Sequence, residues 1–113
     1  MVFRPAKRNR EPAVPMQPIV DPAGWYPEDL AANDDWIYQL SEIEIKEVRD
    51  DVASIGARGL DILDIGRADI EMPHFDRGLA VLYGELHEGR GFFLLRGVAV
   101  SEFTPAQAAL AFW

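Results

Sequence analysis

"RGFFLLRGVAV", residues 90–100, is the stretch on which the fold turns. It is a continuous apolar run bounded by Gly91 and Gly97, and such a run predicts a strand buried on both faces. Upstream, Phe75, Leu79, Leu82 and Leu86 recur at spacings of four, three and four. That is one stripe of a helix which Pro73 opens and Gly89 closes. Downstream, Thr104 suits an N-cap and Pro105 a first helical position, so a further helix runs to the last residue. Helices flanking a buried strand predict an α+β fold.

Further from this centre, Ser41-x-x-Glu44 matches a capping box, and Ile45, Val48, Val52 and Ile55 follow as one apolar face. Gly56 or Gly59 ends that helix. "GLDILDI", residues 59–65, reads as a short strand or an extended linker. In "GWYPEDLAANDDW", residues 24–36, Pro27 opens a short helical turn to Ala32. The rings of Trp25, Tyr26 and Trp36 there form either a lid or partner surface, or anchors into a core. Residues 1–23 carry five prolines, which block a helix and favour an extended or disordered tail. Residues 24–113 make up the folded part.

The chain has 113 residues, 49% of them hydrophobic, enough for one small domain. It contains no cysteine, which excludes disulfides, thiolate metal sites and a cysteine nucleophile and fits a reducing, cytoplasmic setting. No apolar run approaches the roughly 20 residues that cross a bilayer, so no membrane role is expected. Net charge is −8 and uneven: Arg4, Lys7, Arg8 and Arg10 put +4 on the first ten residues, against −12 on the rest. An acidic body argues against a nucleic-acid partner. The basic tip is either a solvated, disordered tail or a nucleic-acid or targeting arm.

"MPHFDRG", residues 72–78, contains His74-Phe75-Asp76, which spells the His-x-Asp of a non-haem iron triad. That tripeptide chelates from extended chain, where residues i and i+2 point the same way. On a helix opened by Pro73 the two side chains diverge by about 200°. The other histidine, His87, lies roughly 16 Å further along the same helix. No metal site is therefore expected at His74, Asp76 or His87. Gly89-Arg90-Gly91 precedes a strand and not a helix, so it is no phosphate-binding turn. Ser41 and Ser101 read as cap or turn residues. Glu42, Glu44, Glu47, Asp50 and Asp51 read as a solvated face. Arg96 either reaches water at the strand end or pairs with a buried acid or an anionic ligand. No catalytic, cofactor-binding or metal-ligating residue is expected within the chain.

"GELHEGRGFFLLRGVAVSEFTPAQAALAFW", residues 84–113, resembles the N-terminal part of the TauD/TfdA family of Fe(II)- and 2-oxoglutarate-dependent dioxygenases. The likeness rests on Gly89-Arg90-Gly91-Phe92-Phe93-Leu94-Leu95-Arg96-Gly97 and on Thr104-Pro105. "WYPEDLAANDDWIYQLSEIEI" and Met72-Pro73 are similar to one branch of that family, so the resemblance spans roughly residues 24–113. It implies helices and one or two strands of an incomplete double-stranded β-helix, or jelly roll. It also implies Fe(II) and 2-oxoglutarate as cofactors, and a small-molecule substrate hydroxylated as 2-oxoglutarate is oxidatively decarboxylated. In the family the iron ligands and the arginine that holds 2-oxoglutarate lie downstream of such a segment, so His74 and Asp76 do not correspond to them.

The last helix closes on Phe112-Trp113 with no glycine cap, and a strand buried on both faces needs neighbours on both sides. The expectation is a fragment of a longer reading frame, inactive alone, whose partner is the remainder of the same chain. The competing expectation is a complete, small acidic interaction module that docks through Trp25, Tyr26, Trp36 and an exposed Phe93 or Trp113.

Overall fold

The structure is a computed structural model that describes residues 2–8 and 10–113. Met1 and Asn9, part of the expected tail, lie outside the described residues. The regular elements are α1 (Pro27–Ala31), β1 (Ile37–Gln39), α2 (Glu42–Arg58), α3 (Pro73–Glu88), β2 (Leu94–Arg96) and α4 (Pro105–Phe112). Among the described residues three single-turn 3-10 helices lie between them, and β1 and β2 form a parallel sheet. The fold is mixed α and β. The chain divides into two compact units, residues 1–39 with 78–96 and residues 40–77 with 97–113.

In the first unit, β1 and β2 pair in the register Ile37 to Leu94, Tyr38 to Leu95 and Gln39 to Arg96. Parallel strands need a long crossover, and residues 40–93 supply it. Ile37 and Leu82 are buried, and burying such side chains stabilises by about 1.5–3 kcal/mol each. Phe92 lies against Trp25 and Trp36, with ring centroids 4.9 and 6.0 Å apart. Trp36 Nε1 donates to the carbonyls of Leu30 and Asn33, each at 3.0 Å. Trp36 is half-buried and anchors its segment, whereas Trp25, though it lies against Phe92, is exposed, as is Tyr26. Residues 10–21 fold back on themselves through a 3.2 Å bond from the Glu11 amide to the Val20 carbonyl and an Arg10–Asp21 ion pair at 2.8 Å.

In the second unit, Ser41 caps α2 through the expected box. Its Oγ accepts from the Glu44 amide at 3.3 Å, and Glu44 Oε1 accepts from the Ser41 amide at 3.0 Å. Val52 and Ile55 are buried and Ile45 and Val48 half-buried, so the apolar face lies where the spacing put it. Gly59, at φ 66°, ends the helix in the left-handed conformation that glycine adopts without strain. Helix α4, capped by Thr104 and opened by Pro105, packs on α2. Arg49 of α2 pairs with Glu102 at 2.7 Å.

Three expectations are corrected. Residues 59–65 form no strand: Asp61 accepts from the Leu63 amide at 3.1 Å and opens a 3-10 turn over Ile62–Asp64. Local aspartate turn chemistry outcompetes a sheet ladder there. The strand in residues 90–100 is only Leu94–Arg96, and Leu94 and Arg96 are exposed, not buried on both faces. Gly91 and Gly97, at φ 85° and 109°, cut it short. The buried line of α3 is Phe75, Gly78, Leu82 and Glu85, continued by Gly89 just past the helix, whereas Leu79 and Leu86 are exposed. A count of apolar residues passes over the two glycines and the carboxylate that define that line.

Candidate functional site

At the start of α3, the two polar members of His-x-Asp turn to different partners. His74 Nδ1 contacts Glu47 Oε1, while Asp76 Oδ2 faces Arg67 Nη2 at 3.7 Å. Among the described residues no three His, Cys, Asp or Glu side chains converge as metal ligands would. The residues present do not fit an iron triad. Phe75, between the two, is buried.

Glu47 has a different use. The residue before α3 is Met72, whose side chain offers no capping oxygen. Glu47 of α2 supplies one from outside: its carboxylate accepts from the amides of His74 at 3.0 Å and Phe75 at 2.9 Å. Those are first-turn amides, which have no partner within the helix. Burial pushes the Glu47 carboxyl up, but the Phe75 and His74 amides and the His74 ring outweigh it. They hold the group below the usual glutamate range. Glu47, expected on a solvated face, thus joins α2 to the first turn of α3.

The densest polar cluster sits in the first unit, at the Gly89-Arg90-Gly91 turn. Glu85 is 2% exposed. Its Oε1 accepts from the Arg90 amide at 2.8 Å and from Arg90 Nη1 at 3.0 Å, and its Oε2 accepts from the Ala6 amide at 3.0 Å. Arg90 Nη2 pairs with Asp35 at 3.1 Å, and Nη1 also donates to the Arg4 carbonyl at 2.9 Å. A Cβ at position 89 would lie 2.6 Å from the Glu85 carboxylate, so glycine there makes room for the buried acid. Both Glu85 oxygens are engaged, so the cluster has no free base to offer a substrate. Its work is to fix the helix-to-strand junction.

This cluster was missed in the sequence. Its signal was a glutamate on the core-facing line of α3, four residues before a glycine. Arg96, singled out instead, is exposed at the end of β2, and its carbonyl accepts from Gln39 Nε2 at 3.2 Å. Ser41 is a cap. Phe93 is half-buried, while Trp113 is exposed.

The second unit holds a half-open cavity of about 390 Å³. Val52, Ile55, Ile70, Phe75 and Leu110 line it, with Asp51 and Arg67 also on its wall. Asp51 accepts from the Glu71 amide at 2.8 Å and is thereby committed to the backbone.

Neither a scan against protein-family models nor a search of curated proteins returned a match. No helix among the described residues is long and apolar enough to cross a membrane.

Proposed function

We propose that this chain is the N-terminal scaffold of a TauD/TfdA-like, Fe(II)- and 2-oxoglutarate-dependent dioxygenase. Such an enzyme hydroxylates a small molecule while oxidatively decarboxylating 2-oxoglutarate. The observation that carries the reading is the Gly89–Gly97 segment, whose sequence supplies the resemblance and whose structure is a pinned junction. Arg90 is locked onto Glu85, and β2 emerges from it with β1 on one side and no ladder partner on the other among the described residues. In this reading β2 belongs to the jelly-roll sheet and its free edge takes a further strand. The chain's own residues brace that sheet. Iron and 2-oxoglutarate are held by residues outside these 113, since His74 and Asp76 face Glu47 and Arg67.

The test is the reading frame beyond codon 113. An in-frame continuation that encodes a His-x-Asp, a distal histidine and a later arginine is expected. A stop codon in clean sequence removes the reading. A second reading, a small acidic docking module, draws on Trp25, Tyr26 and Trp113, all of them exposed. It requires that stop codon, together with a monomer that unfolds cooperatively on its own.

A further inference from the structure

We propose that Asp35, Glu85 and Arg90 form a docking site that reads the main chain of an extended peptide, filled here by residues 3–6 of the same chain. The Arg4 amide donates to the Asp35 carbonyl at 2.8 Å, and the Arg4 carbonyl accepts from Arg90 Nη1 at 2.9 Å. Two residues on, the Ala6 amide donates to Glu85 Oε2 at 3.0 Å. In extended chain, residues i and i+2 present their polar groups on the same edge, so one edge of the segment meets the whole site. Pro5, between them, has no amide to leave unpaired.

All three bonds go to backbone groups, and the Arg4 side chain is exposed, so the site does not select the side chain at position 4. Selection comes from Phe3, whose ring stands edge-on to Tyr38 with centroids 5.7 Å apart, and from Ala6, which is half-buried. The ligand class is therefore an extended aromatic-x-Pro-small peptide. Its occupant also completes the core, because Glu85 Oε2 is buried and takes its hydrogen bond from Ala6. If the segment leaves, that oxygen loses its donor, which couples release to loosening around Glu85. The five prolines that keep residues 1–23 from forming a helix thus leave the chain in the conformation the site accepts.

Amide hydrogen exchange on the full chain tests this, read residue by residue by NMR in the natural protein and in Phe3→Ala and Arg90→Lys. In the natural protein the Arg4 and Ala6 amides are expected to exchange at least tenfold more slowly than in an unstructured peptide. Phe3→Ala should speed both together by roughly tenfold and leave the amide of Val52, a buried residue of α2 outside the Glu85 cluster, unchanged. Arg90→Lys, which keeps the charge but loses the fork, should also speed both. Arg4 and Ala6 exchanging at unstructured rates in the natural protein would overturn the proposal, whatever the variants do. So would protection that grows with protein concentration, because the site would then hold the segment of a second copy.

Discussion

Glu47 shows how far a single side chain can depart from its apparent role. One carboxylate among five acids on α2, it serves as the missing cap of α3. Its carboxyl is held below the ordinary glutamate range in the folded chain, net of the burial that opposes this. The stability it contributes is therefore fully present above the unfolded value. It is lost as the pH falls through the folded one. Thermal unfolding followed from about pH 5 to about pH 3 should show the natural protein losing its midpoint more steeply than Glu47→Gln. Parallel curves for the two proteins would mean that the cap contributes nothing. That His74 and Asp76 diverge was legible, because helix geometry alone separates them. The partner of His74 was not legible, since residues 47 and 74 are far apart in sequence and only packing brings them together.

At the scale of elements, caps and glycines were the readable part. Ser41 with Glu44, Thr104 with Pro105, and Gly59 all act locally, so their sequence signal survives folding. The extents of β2 and of the 59–65 segment were not readable, because strand formation depends on a neighbour and aspartate turns compete with it. The buried line of α3 was misread for a related reason: Gly78, Glu85 and Gly89 carry no hydrophobic signal. Gly56, inside α2, and Gly89, just past the end of α3, should now behave oppositely. A Cβ at Gly56 would meet nothing within 4 Å, so Gly56→Ala should stabilise α2 by about 0.5–1 kcal/mol. At Gly89 the added Cβ would collide with the Glu85 carboxylate, and Gly89→Ala should cost about 1–3 kcal/mol. Urea unfolding midpoints of the two variants check this, and shifts of the same sign would contradict the assigned buried line.

For the whole molecule, the proposed role of these residues is to brace a dioxygenase without supplying its iron ligands. That helix and strand are mixed was legible from the helix caps and the apolar run at residues 92–95. The jelly roll rests on resemblance, since a two-stranded parallel sheet is compatible with many larger sheets. In the proposed reading, the exposed Leu79, Tyr83 and Leu86 and the edge of β2 left unpaired among the described residues are the surfaces that the remainder of the enzyme covers. The most direct measurement is Fe(II)-dependent turnover of 2-oxoglutarate to succinate by the protein that the complete reading frame encodes, with and without His74→Ala. Turnover should require Fe(II) and stay within about twofold in the variant, because His74 is engaged by Glu47. No turnover, or turnover abolished by His74→Ala in a protein that remains folded, would contradict it.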